Sequence, residues 1–100
     1  MAAYVVFTRT QTVDRKELEI YWSQIKETFV GHPIEVLAAY GTLQVLEGEA
    51  IEGAVIAKFP SIEAAKAWYN SPPYQAAAQH RHLGATYDGF IVEGVPTTSK

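Results

Sequence analysis

Gly53-Ala54-Val55-Ile56-Ala57-Lys58-Phe59-Pro60-Ser61 is the stretch on which the fold turns. Its first seven residues form a short apolar run rich in β-branched side chains, the signature of a strand. An antiparallel strand with one wet side alternates apolar and polar residues. Here Val55, Ala57 and Phe59 fall on one side, Ala54 and Ile56 on the other, and only Lys58 interrupts the pattern. Both faces of the strand are therefore apolar. Pro60 and Ser61 stop it and open a helix, with Ser61 as N-cap and Ile62, Ala65, Trp68 and Tyr69 as the inner stripe.

Reading toward the N-terminus, Glu47 to Gly53 has the composition of a hairpin loop, and Glu35 to Leu46 reads as the preceding strand, with Gly41 marking a bulge or bend. Before it lies a helix. Asp14 with Glu17 three residues on fits a capping box, Leu18, Trp22, Ile25 and Phe29 repeat along one helical face, and Gly31 with Pro33 stops the run. Ala3 to Thr8 is the first strand, with Ala3, Val5 and Phe7 on one side and Tyr4 and Val6 on the other. Reading toward the C-terminus, Ser71 is a good N-cap and Pro72 a good first residue for a further helix, which runs to about Leu83 and is closed by Gly84. Thr86 to Val92 is the last strand, where Phe90 and Val92 oppose Ile91.

The order β-α-β-β-α-β predicts an α+β domain of ferredoxin-like type, a four-stranded antiparallel sheet with its helices on one face. Residues 1–95 form the one domain and 96–100 a flexible C-terminal tail. Two helices cannot cover both faces of a sheet. The second apolar face predicts a partner, and a second copy of the same sheet is the simplest one.

Composition narrows the function classes. Apolar residues make up 48% of the chain and charged residues 19%, little polar material for the outside of a 100-residue domain. The net charge of −3 and eight scattered Lys and Arg argue against a nucleic-acid partner. With no cysteine there are no disulfides, thiolate metal sites or cysteine nucleophiles. The apolar N-terminus meets Arg9 too early for a signal segment or membrane span, so a cytoplasmic location and no membrane partner are the expectation. No glycine-rich phosphate loop occurs, which argues against nucleotide cofactors.

The phrase Phe59-Pro60-Ser61, followed by Ala64-Ala65-Lys66-Ala67-Trp68-Tyr69-Asn70-Ser71-Pro72-Pro73-Tyr74 and then Arg81, resembles the DUF1330 family of uncharacterised bacterial proteins. Glu47-Gly48 belongs to the same likeness, which extends over nearly the whole chain. It implies a dimeric α/β barrel in which two four-stranded sheets face each other. It implies no reaction: the wider relatives include cofactor-free monooxygenases, muconolactone isomerase and haem-dependent enzymes, and a shared fold does not carry a shared activity. Relatives carry an acidic residue where this chain has Pro73, and a glycine pair with a basic residue near Ala39-Tyr40-Gly41-Thr42.

Among single residues, Arg81 and Glu47 are the candidates for chemistry. Arg81 sits in the last turn of a helix, where the dipole favours a cation; its planar fork also suits a substrate carboxylate. Glu47 ends a strand beside a glycine, where a carboxylate can face a barrel mouth and act as acid or base. Tyr40, Trp68, Tyr69 and Tyr74 are the candidate substrate-binding walls, Trp68 having core packing as its everyday role. His80 and His82 project roughly 200° apart on one helix and cannot chelate one metal. No His-x-x-x-His or Glu-x-x-His pair exists, so neither a metal nor a bound cofactor is expected. The resulting expectation is a homodimer, either a cofactor-independent enzyme for a small aromatic or carboxylate molecule, or a non-catalytic binding or structural module.

Overall fold

The structure is a computed structural model and describes residues 1–96. The elements follow the order β1 (Ala3–Thr12), α1 (Arg15–Gln24) running into a 3₁₀ segment (Ile25–Phe29), β2 (Glu35–Ala39), β3 (Gly53–Phe59), α2 (Ile62–Tyr69), α3 (Pro72–Gly84) and β4 (Ala85–Glu93). The strands form one antiparallel sheet in the order β2-β3-β1-β4. This is the expected ferredoxin-like α+β arrangement, with α2 and α3 as two helices where the simplest form has one. The tail expected at 96–100 lies, apart from Pro96, outside the described residues.

Register decides which side chains share a face, because directly paired residues in antiparallel strands point the same way. Val5 lies opposite Ala57 and Ile91, and Phe7 opposite Val55 and Gly89. Val5, Phe7, Ala57 and Phe59 are buried together with Tyr21, Ala65, Trp68, Tyr74, Ala77 and Ala78. The core is thus one sheet face with the helices packed on it. The intervening row, Val6 with Ile56 and Phe90, and Tyr4 with Lys58 and Val92, belongs to the other face. Phe90 remains 55% exposed and Val92 48% exposed there.

Local signals set the helix starts. Asp14 Oδ1 accepts from the Lys16 amide at 3.0 Å, and Ser61 Oγ accepts from the Ala64 amide at 3.1 Å. Three expectations need correction. The capping box does not close: the Glu17 carboxylate pairs with His80 Nδ1 at 2.7 Å and so ties α1 to α3. The buried residues of α1 are Leu18 and Tyr21, while Trp22 is only half-buried.

The third correction is larger. The strand read as Glu35 to Leu46 ends at Ala39, because Tyr40 takes a left-handed backbone with φ 57°. β3 begins at Gly53, so past Tyr40 no neighbouring strand is left to receive the chain. Residues 41–50 are exposed, and the base of this arm is tied by Tyr40 N–H to Ala54 O at 2.9 Å and Glu52 N–H to Arg9 O at 2.7 Å. A bulky residue with positive φ costs roughly 1–2 kcal/mol. Its ring repays that by contact: the Tyr40 hydroxyl meets the Tyr87 hydroxyl at 2.6 Å, and the Arg9 guanidinium lies 5.0 Å from its ring centre. A Cβ on Gly53 would stand 2.7 Å from Tyr40 Cδ1, so glycine is required beneath that ring.

Candidate functional site

The inner face of α3 is an i, i+3, i+4, i+7 stripe made of Tyr74, Ala77, Ala78 and Arg81. Three of its members are ordinary core residues; the fourth carries a charge. Ser71 Oγ caps this helix by accepting from the Tyr74 amide at 3.4 Å and so sets the phase that turns Arg81 inward. Arg81 is only 5% exposed. Its Cζ lies 4.8 Å from the Phe7 ring centre and 5.1 Å from that of Tyr87, a guanidinium between two aromatic faces. Its Nε is buried with no hydrogen-bond partner, and among the described residues no carboxylate forms an ion pair with it.

Arg81 borders a cavity of about 500 Å³ between α3, the α2 end and the β1–β4 side of the sheet. Tyr69, His82, Thr86, Tyr87 and Ile91 line it with Arg81, and Val5 and Phe7 form its floor. Gly89 keeps that floor flat, since a Cβ there would meet the Phe7 ring at 2.6 Å. The His82 imidazole is held below its ordinary pKa by partial burial and by the adjacent Arg81 charge. It is therefore neutral at pH 7 and able to accept a proton.

Beneath the cavity the phenols are buried and paired. Tyr21 and Tyr74 hydroxyls are 3.1 Å apart. Burial raises the pKa of both, with the Arg81 charge opposing the rise at each. Tyr87 is raised by burial and by its hydrogen bond with Tyr40. All three stay neutral throughout the physiological range.

A second cavity, about 280 Å³, lies across β1 from the first, under α1 and the 3₁₀ segment, and shares only the Val5 and Phe7 wall with it. Tyr40 and Trp68 line this one.

The six residues singled out in the sequence are thus divided. Arg81 and Tyr69 border the larger cavity, and Tyr40 and Trp68 the smaller. Tyr74 is fully buried between them and lines neither. Glu47 stands exposed in the arm after Tyr40 and lines neither cavity. His82, Phe7 and Tyr87 were not singled out for the site. For His82 a signal existed in its adjacency to Arg81 at the end of a helix; for Tyr87 and Phe7 only strand pairing across some eighty residues of chain brings them to that guanidinium. Among the described residues, no group of three or more His, Asp or Glu is placed to hold a metal ion. No described helix is long and apolar enough to cross a membrane.

Solved structures with the same arrangement diverge widely in sequence. A protein of unknown function from Rhodopseudomonas palustris, RPA0582, superposes with a TM-score of 0.75 at 15% identity, covering 96% of this chain and 84% of that one. A dimeric ferredoxin-like protein of unknown function from Thermobifida fusca gives 0.64 at 14% identity, covering 93% and 91%. SnoaB from Streptomyces nogalater, a cofactor-independent oxygenase, gives 0.63 at 13% identity, covering 99% and 98%. At such identities these likenesses carry the fold alone. No curated protein matches in sequence. The family is settled by a direct match over residues 2–95, and the chain belongs to the domain of unknown function DUF1330.

Proposed function

We propose that this protein is a homodimeric α/β barrel whose larger cavity binds a small organic carboxylate on Arg81, and that it acts on that molecule without a bound cofactor. The observation that carries the reading is the buried guanidinium, whose Nε has no hydrogen-bond partner and which no described carboxylate meets. A charge taken out of water costs roughly several kcal/mol, and contact with two aromatic rings, worth about 2 kcal/mol or more each when desolvated, supplies no countercharge. A ligand carboxylate supplies the missing countercharge through the planar fork of the side chain. Phe7, Tyr69 and Tyr87 offer flat surfaces for an aromatic body, and neutral His82 offers a proton acceptor at the cavity wall. The exposed sheet face supports the dimer, as does the dimeric state of the Thermobifida fusca protein of like fold. That SnoaB is a cofactor-independent oxygenase supports chemistry without a cofactor on this scaffold.

The test is titration of the protein with benzoate by calorimetry. Saturable binding that Arg81→Met weakens at least about tenfold is expected; equal binding by that variant sinks the reading. A second reading, a non-catalytic binding module, is favoured by the position of Glu47 on the exposed arm, away from Arg81. Screening aromatic acids and lactones for turnover separates the two, since a binding module returns every ligand unchanged.

A further inference from the structure

The smaller cavity differs from the Arg81 cavity in one chemical respect: its polar atoms are already engaged. Trp22 Nε1–H donates to the Tyr40 hydroxyl at 3.4 Å, and Trp68 Nε1–H donates to Thr28 Oγ1 at 3.1 Å. The Tyr40 hydroxyl is shared with Tyr87, and the Tyr21 hydroxyl with Tyr74. The strand amides of Val5, Val55 and Ala57 belong to the β1–β3 ladder. The one charged lining residue is Lys26, itself exposed to solvent. A water molecule inside needs two to four polar partners, and this wall has none to spare. An engineered apolar cavity of about 150 Å³ stays dry and takes up benzene. This one measures about 280 Å³.

We infer that the smaller cavity is a second binding site, for an uncharged, hydrocarbon-like molecule of about two rings, separate from the carboxylate site on Arg81. Aromatic and branched walls on both sides, from Trp22, Phe29 and Trp68 to Ile25, Ile34 and Val55, select such a ligand by shape, and the one cation, Lys26, is itself exposed to solvent and so gives an anion no buried countercharge. Entry is past β2, where Val36 is 44% exposed and Ala39 is exposed. The shared Phe7 and Val5 wall places the two ligands on opposite sides of β1. The inference does not depend on the Arg81 reading, because Arg81 does not line this cavity.

Both tryptophans of the chain line this cavity and neither lines the other, so their indole N–H signals report on it selectively. The experiment is a titration of ¹⁵N-labelled protein with naphthalene, followed on those two resonances. Both are expected to shift saturably. Val36→Trp, which fills the entrance from an exposed position, is expected to weaken binding at least about tenfold, whereas Arg81→Met changes it less than about twofold. If Val36→Trp does not give a folded spectrum, Ala39→Phe at the same rim takes its place. Absence of a saturable shift, wild-type affinity in a folded rim variant, or equal loss in Arg81→Met overturns the inference. Failure of benzoate to bind in the separate titration leaves this result standing and sinks only the Arg81 reading.

Discussion

In the proposed carboxylate site, Arg81 sets stability against function. The charge is out of water, its Nε is unpaired, and the flanking Phe7 and Tyr87 rings offset only part of the desolvation. Methionine has a similar length and no charge to bury. Arg81→Met is therefore expected to raise the unfolding free energy by about 1–2 kcal/mol in urea titrations, even as it removes carboxylate binding. A substantial destabilisation would mean that the guanidinium has a structural partner. The phenols make a second prediction. Tyr21, Tyr74 and Tyr87 have folded pKa values raised above the unfolded value near 10. Above about pH 10 the unfolded chain releases phenolic protons that the folded chain retains, so stability is fully present below that pH and falls as pH rises. Absorbance at 295 nm is expected to show a subset of the six tyrosines ionising freely and the rest only together with loss of the fold. Free ionisation of all six would contradict this burial.

At the scale of elements, the helix starts were legible because an N-cap is a local device: Asp14, Ser61 and Ser71 each accept an amide within three residues. The arm after Tyr40 was not, because alternation gives a strand only where a neighbour supplies the ladder. Thr42 to Leu46 carries the pattern of a strand without an in-chain partner. Nor was the burial of the 3₁₀ segment legible. Thr28 is buried there; its hydroxyl donates to Ile25 O at 2.6 Å and accepts from Trp68 Nε1 at 3.1 Å, pinning the segment to α2. Thr28→Val preserves volume but leaves the indole N–H unpaired. It is expected to cost about 1–3 kcal/mol by thermal or urea unfolding and to shift tryptophan emission, whereas a neutral effect would show that the bond contributes nothing.

The whole molecule is thin, 48 × 35 × 17 Å, with a radius of gyration of 14.2 Å where about 13 Å is usual for 100 residues. One layer of helices on one sheet accounts for the thinness, and the exposed Phe90 and Val92 mark the side that a second layer would cover. In the homodimer proposed above, a charge on that apolar face is strongly unfavourable. Phe90→Lys is expected to give a light-scattering mass near 11.0 kDa, where the wild type gives twice that value. A wild-type mass of 11.0 kDa at micromolar concentration would instead leave the face uncovered and remove the dimer.

The order of elements, the capped helix starts and the oiliness of both sheet faces were determined by the sequence alone, because each is written in residues a few positions apart. The family likeness came from the same short range, in the phrase running from Phe59 to Tyr74. What only the tertiary structure decided is which of the nominated side chains meet. Arg81 reaches Phe7 and Tyr87 through the pairing of β1 with β4, and no carboxylate comes with them. Tyr40 turns under the sheet because β3 starts at Gly53, and β1 divides the space beneath the helices into one charged and one apolar chamber. Those outcomes depend on register and on close packing between segments far apart in the chain, and hydrophobic periodicity records neither.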